Sequence, residues 1–194
     1  MIICVYGAAS EHIDSFYITE GERLGRELAR RGHDLVYGGG ATGLMGAVSR
    51  GVREGGRRVT GVVPSFFTNE EILNPFCDEM IRPATMRERK RIMEERADAF
   101  IVTPGGIGTY EEFYEILCAT QLGQLNKPIA LLNTLGFYDP TIRMLEYAIE
   151  KGFVHAECRV LYPAFSTPEE VLDYVENYQP IDLSSMKTIR KDNE

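Results

Sequence analysis

The chain has 194 residues, of which 44% are hydrophobic, 26% charged and 10% aromatic, a balance that excludes a largely disordered, collagen-like or coiled-coil protein. That length is about one domain's worth and enough to bury a core unaided. Twenty-one basic against 29 acidic residues leave a net charge of −8, which argues against a nucleic-acid-binding surface but leaves room for a local anion pocket built from backbone amides.

Taken in chain order, Ile2 to Tyr6 reads as an apolar strand, without the basic lead of a signal peptide. A helix from about Ser15 to Arg31 follows, with Gly21 and Gly25 one turn apart, a spacing expected to bring its backbone close to the sheet. Further strands are expected at Asp34 to Tyr37, Arg58 to Val63, Ala99 to Thr103, Pro128 to Leu132 and Val160 to Tyr162, with helices between them. Thr167-Pro168-Glu169-Glu170 starts a last helix that ends near Tyr178: a capping Thr, Pro in the first helical position and Glu three after the cap. Strand and helix in alternation call for an α/β fold, a doubly wound parallel sheet with helices on both faces. One domain spans 1–178, and the polar 179–194 is expected to be a poorly ordered tail.

Cys4, Cys77, Cys118 and Cys158 lie far apart and form no C-x-x-C pair, which fits a reducing cytoplasm. His12, His33 and His155 have no metal-ligand spacing, so no structural metal is expected. No apolar stretch is long enough to span a bilayer, and no membrane partner is expected.

Two glycine-rich turns follow strands: Gly38-Gly39-Gly40-Ala41-Thr42-Gly43-Leu44-Met45-Gly46 and Pro104-Gly105-Gly106-Ile107-Gly108-Thr109. In a parallel sheet both emerge at the carboxyl edge, where ligands bind and helix amino termini present free N–H groups to anions. Glycine can serve there merely for its turn angles, but two such turns on one edge point to a nucleotide pocket. Gly38, Gly40 and Gly43 satisfy G-x-G-x-x-G, yet the third strand ends Val62-Val63-Pro64-Ser65, without the acid that holds a ribose hydroxyl in NAD-binding folds. Neither turn carries the Gly-Lys-Ser/Thr of a P-loop, and a nucleotide monophosphate suits the inventory best.

The run Met86 to Ala97 is a charged helix in which Arg87 shares a face with Arg91, Glu94 and Glu95, a solvent-facing set. Arg89 lies three after Met86, three before Ile92 and four before Met93, so it projects from the apolar side and needs an anion, either a carboxylate or a substrate phosphate. Thr109-Tyr110-Glu111-Glu112 reads either as a capping box or as the edge of a pocket. Glu111 and Glu115 sit one turn apart and face water, which leaves Glu112 as the carboxylate for a pocket.

Pro104-Gly105-Gly106-Ile107-Gly108-Thr109-Tyr110-Glu111-Glu112 matches P-G-G-x-G-T-x-x-E, and Met86-x-x-Arg89-Lys90 matches M-x-x-R-K. Together they resemble the LONELY GUY family of cytokinin riboside 5′-monophosphate phosphoribohydrolases, with support from Gly38-Gly39-Gly40, Gly43-Leu44-Met45-Gly46 and Asn126-Lys127-Pro128. The resemblance implies a Rossmann-like fold and hydrolysis of the base–ribose bond of an adenosine monophosphate, with no metal or organic cofactor. It implies Arg89 and Glu112 as the catalytic pair, and Lys90, Gly105, Gly106, Gly108 and Thr109 as substrate contacts. Gly39, Gly40, Gly43 and Met45 of the first turn, and Glu71, complete the expected binding set.

Where the family often carries Gly-Ser-Ser after the first strand, this chain has Gly7-Ala8-Ala9-Ser10, so that turn is not assigned to the site. Related folds bind nucleotides or molybdenum cofactor without hydrolysis, and a non-catalytic carrier is the rival reading. Some relatives bear the label lysine decarboxylase, but no Schiff-base lysine with a partner for a cofactor ring stands out. A homodimer is implied by the resemblance. The helix from about Thr109 to Gly123 adds a physical reason, since Tyr110, Phe113, Tyr114, Ile116, Leu117 and Leu122 make an apolar surface wider than one sheet contact needs.

Overall fold

In the computed structural model, which describes residues 1–68 and 73–181, seven strands form one parallel sheet. They are β1 (Ile2–Tyr6), β2 (Asp34–Tyr37), β3 (Val59–Val62), β4 (Glu79–Ile81), β5 (Ala99–Val102), β6 (Ile129–Leu132) and β7 (Ala164–Phe165). The α-helices among the described residues are α1 (Ser15–Arg30), α2 (Gly43–Glu54), α3 (Met86–Arg96), α4 (Ile107–Gln121), α5 (Asp139–Glu150) and α6 (Pro168–Glu176). Strand order is β4-β3-β2-β1-β5-β6-β7. The chain winds outward from β1 to β4 and then returns to pair β5 with the other side of β1, so the carboxyl ends of β1 and β5 form a topological switch point.

Successive β1 side chains point to opposite faces and build two cores. Ile3 and Val5 pack with Leu24 and Leu28 of α1, Val48 and Val52 of α2, and Val171 and Leu172 of α6. Cys4 and Tyr6 pack with Met93 of α3 and with Phe113 and Ile116 of α4. Helices cover both faces, which is why β5 and β6 are buried along their whole length and read as continuous apolar runs.

Three expectations need correction, and one strand was not foreseen. The glycines of α1 meet α2 and not the sheet: a Cβ at Gly25 would lie 2.2 Å from the Val48 carbonyl and 2.9 Å from the Gly51 Cα, so two helix backbones touch there. Residues Val160 to Tyr162 form no strand. They end a 3-10 segment, Ala156–Leu161, that buries Cys158 and Leu161, and pairing with β6 begins at the Pro163 carbonyl, which accepts from the Leu131 N–H at 2.9 Å. Strand β4 went unread because Glu79-Met80-Ile81 is a three-residue, half-buried edge. Finally, the wide apolar face of α4 is covered within the chain: Tyr110, Phe113, Tyr114, Ile116 and Leu117 pack with Leu145 of α5 and with Cys158, Leu161 and Tyr162. Leu122, just beyond the end of α4, stays exposed, so most but not all of the surface that gave a physical reason for a dimer along α4 is already covered.

Helix α6 closes one face through charge. Arg23 pairs with Glu169, Arg31 bridges Asp173 at 2.6 Å and Glu176 at 2.8 Å, and the His33 Nε2 lies 2.7 Å from the Glu176 Oε1. The helix is capped as the sequence predicts, with Thr167 and Glu170 in a capping box and Pro168 first in the helix. Most of the expected tail, residues 182–194, lies outside the described residues.

Candidate active site

A cavity of about 560 Å³, within the range of small-molecule sites, opens at the switch point. Its wall is made by Gly7 to Ser10 after β1, the β2–α2 turn, Val63, Pro64 and Phe67 after β3, Met86 and Arg89 of α3, and the start of α4. Helices α2 and α4, whose first turns contribute to this wall, have no side-chain cap, and neither does α5, whereas α1, α3 and α6 do. The free N–H groups of the α4 first turn thus stand beside Gly106, Gly108 and Thr109 in the wall, an arrangement suited to an anion.

Arg89 comes from the second turn of α3 and Glu112 from the second turn of α4, and both are only 8% exposed. The Arg89 Nη1 donates to the Glu112 Oε1 at 2.5 Å, and its Nε donates to the Val62 carbonyl at 3.1 Å. The inward arginine has met a carboxylate. Burial raises the Glu112 pKa, and the Arg89 guanidinium opposes that rise with its charge and hydrogen bond. Close to the pair lie Cys4 and Tyr6 of β1, both buried and held neutral by that burial. A buried ion pair gains little net stability, since desolvation offsets attraction, so its place in a cavity wall calls for a chemical explanation.

Thr109 is not a helix cap. Helix α4 begins two residues earlier, at Ile107 with Gly106 as its N-cap, so Thr109 is already helical, buried, and packed under Gly105, where a Cβ would meet the Thr109 Oγ1 at 2.1 Å. The capping-box alternative is excluded at this helix, and the Glu112 carboxylate is left for Arg89.

The structure brings Gly40, Met45, Arg89, Gly106, Gly108, Thr109 and Glu112 into the cavity wall together. Gly39, Gly43 and Gly105 stand behind it as backbone, with Gly43 pressed against the Ala8–Ser10 loop. Lys90 does not line the cavity. Its ammonium is held by Glu111 and, at 2.9 Å, by Glu115; burial works against its charge, but these carboxylates outweigh it and raise the pKa. Glu111 is accordingly an exposed partner of Lys90 at the cavity rim. Glu71 lies outside the described residues.

Several residues of the wall and of its support escaped sequence reasoning. The Gly7-Ala8-Ala9-Ser10 turn, set aside for lacking the family's hydroxyls, does line the cavity. Asn74 braces the β2–α2 turn: its N–H donates to the Gly39 carbonyl at 2.9 Å, and its Nδ2 donates to the Tyr37 Oη at 2.9 Å and the Ser49 Oγ at 3.0 Å. Only the Asn74-Pro75 turn signal marked it in the sequence, and that signal carries no partner. Among the described residues, no group of three or more His, Cys, Asp or Glu is arranged to hold a metal.

A family model described as possible lysine decarboxylase matches residues 45–175. The chain is 42% identical to cytokinin riboside 5′-monophosphate phosphoribohydrolase LOG of Oryza sativa subsp. japonica, over 92% of this chain and 74% of that protein. It is 39% identical to cytokinin riboside 5′-monophosphate phosphoribohydrolase LOG2 of Arabidopsis thaliana, over 92% of this chain and 84% of that one. Among solved structures, the molybdenum cofactor binding protein from the phototrophic bacterium Rippkaea orientalis superposes with a TM-score of 0.69 over 90% of this chain and 94% of that one, at 23% identity, a likeness of fold alone. The motifs, the parallel sheet with its switch-point cavity and the extent of these matches agree: the chain belongs to the LONELY GUY (LOG) family, matched under the description possible lysine decarboxylase.

Proposed function

We propose that the protein hydrolyses the N-glycosidic bond of adenosine 5′-monophosphates, cytokinin riboside monophosphates or AMP itself, to free base and ribose 5-phosphate. The observation that carries this reading is the buried Arg89–Glu112 pair, 2.5 Å apart, in the wall of a nucleotide-sized cavity. In the reaction the C1′–N9 electron pair leaves with the base, which takes up a proton, and water adds to C1′ through an oxocarbenium-like state. Glu112, as a carboxylate, stabilises the developing ribosyl cation or activates the water. Arg89 holds that carboxylate in place, and the uncapped start of α4, with Gly106, Gly108 and Thr109, receives the 5′-phosphate.

The apolar wall residues Met45, Val63, Phe67 and Leu73 support adenine carrying an apolar substituent on its exocyclic nitrogen. Residues 1–178 act as one catalytic domain. All four cysteines are free, which supports a reducing cytoplasmic setting; among the described residues, no helix is long and apolar enough to cross a membrane. The homodimer belongs to the same proposal. Its support is the family resemblance together with exposed Met144 and Tyr147, one turn apart on α5, and Phe153 just beyond. Charge substitutions at Met144 and Tyr147, followed by light scattering, test it; a wild-type protein of monomer mass overturns it.

Purified protein incubated with AMP and with isopentenyladenosine monophosphate, then assayed for ribose 5-phosphate, tests the activity. Release of ribose 5-phosphate from either upholds the proposal. Binding without cleavage of both compounds makes the protein a carrier.

A further inference from the structure

Three glycines stand in a row at the end of β2, and the backbone does not explain the first. Gly39 has φ 72°, in the left-handed region that favours glycine, whereas Gly38 is not among the positive-φ residues, so no left-handed strain bars a side chain there. What excludes a side chain at Gly38 is the guanidinium beside it. A Cβ built there would lie 2.6 Å from the Arg89 Nη2 and 3.1 Å from the Met45 Sδ. The other two nitrogens of Arg89 are engaged, Nε with the Val62 carbonyl and Nη1 with Glu112, while Nη2 has no hydrogen-bond partner among the described residues. The guanidinium is planar and rigid, so two fixed nitrogens fix the third. A methyl group at residue 38 must therefore push the whole plane away from Glu112 or tilt it off Val62.

We propose that Gly38 is a positioning residue for the hydrolysis: its missing side chain forms the notch that seats the Arg89 guanidinium against Glu112 beside the cavity. This rests on the reading that the Arg89–Glu112 pair carries the reaction. Because the atom in the way is the end of a long side chain, Gly38→Ala yields by displacing Arg89 and not by unfolding.

The test compares wild type, Gly38→Ala, Arg89→Ala and the double variant. Gly38→Ala is expected to lower kcat about 100-fold, the size of effect a misplacement near 1 Å produces. Its unfolding temperature should fall by no more than about 4 °C. Its pH profile should change as well. The charged groups around Glu112 are Arg89 and Lys90 from α3 and Glu111 on its own helix, with Cys4 and Tyr6 of β1 neutral beneath it. With the guanidinium displaced, burial is less opposed, and the acid limb of kcat/KM moves to higher pH. Poorer packing alone leaves that limb where it is.

In the Arg89→Ala background the alanine has no guanidinium to displace, only the flexible Met45 thioether at 3.1 Å, and the residual rate should change by less than about twofold. If wild type cleaves no nucleotide, the hydrolysis reading fails on its own, and carbon-13 NMR titration of Glu112 still tests the notch: its midpoint should rise in Gly38→Ala and not respond to the alanine when residue 89 is Ala. A wild-type rate with an unmoved Glu112 midpoint overturns the proposal, as does an equal loss in both backgrounds. Should Gly38→Ala fail to fold, Arg89→Lys decides, since lysine has no atom at the Nη2 position. The alanine must fold in that background, and failure to do so overturns the notch.

Discussion

Helices α4 and α6 each carry Thr-x-x-Glu at the start, and the two copies do opposite things. At α6, Thr167 is the N-cap: its hydroxyl accepts from the Glu170 N–H at 3.3 Å, and the Glu170 carboxylate accepts from the Thr167 N–H at 3.1 Å. At α4 the helix starts at Ile107, so Thr109 is its third residue and Glu112 points across to Arg89. The difference lies before the motif. Pro168 sets the helical φ right after Thr167, whereas at α4 the extended Gly106 (φ −93°, ψ −156°) ends the turn early and lets the helix begin sooner. A three-residue spacing is a cap only if the helix starts there. Where it does not, the same carboxylate is free for a site, and the helix N–H groups it would have satisfied stay open.

Matched substitutions put that contrast under the most pressure. Glu112→Gln is expected to lower kcat by roughly 10²–10⁴-fold, the usual worth of a catalytic acid–base group, with nucleotide affinity by calorimetry nearly kept. Glu170→Gln, the same change in α6, should leave both rate and unfolding midpoint in place, because Gln closes the same box. Comparable losses in the two would erase the distinction.

Arg89→Ala follows in size. It should impair turnover and affinity together and lower stability by up to about 3 kcal/mol at pH 8, since one side of a buried pair is gone. Burial already raises the Glu112 pKa, and without Arg89 nothing on α3 but Lys90 opposes it. The penalty is present above that raised pKa, where Glu112 is charged, and fades as pH falls through it, so urea melts at pH 5 should show a smaller loss than at pH 8.

In wild type the same shift places the acid limb of kcat/KM above about 4.3, the ordinary glutamate value, with rate falling as pH falls because protonated Glu112 cannot stabilise a cation. A limb at or below the ordinary value detaches Glu112 from the chemistry. The smallest effect separates the threonines. Thr167→Ala should cost about 1 kcal/mol in a chemical melt and leave the rate alone. Thr109→Ala should slow turnover, since Gly105 loses the side chain it packs on, with no loss of a cap.

Local pattern alone determined the alternation of strands and helices, the capped start of α6, the two glycine turns at one sheet edge and the inward direction of Arg89, because each depends on neighbours within about one turn of chain. The paired motifs Met86-x-x-Arg89-Lys90 and Pro104 to Glu112 carried the family. Tertiary structure decided what those residues touch. Lys90 and Arg89 are adjacent in sequence, yet one is tied to Glu111 and Glu115 on the outside of α4 and the other to Glu112 on the inside. The apolar surplus of α4 found its cover in a 3-10 segment some 40 residues on, which the sequence presents as a strand. Gly38 is indistinguishable from Gly39 in the sequence, and only the arrival of α3 over the end of β2 separates them, one glycine for its backbone angle and the other for the room it leaves Arg89. Chain-local rules fix conformation and direction, whereas the partner of a buried charge is set by packing between elements far apart in sequence, which no local pattern encodes.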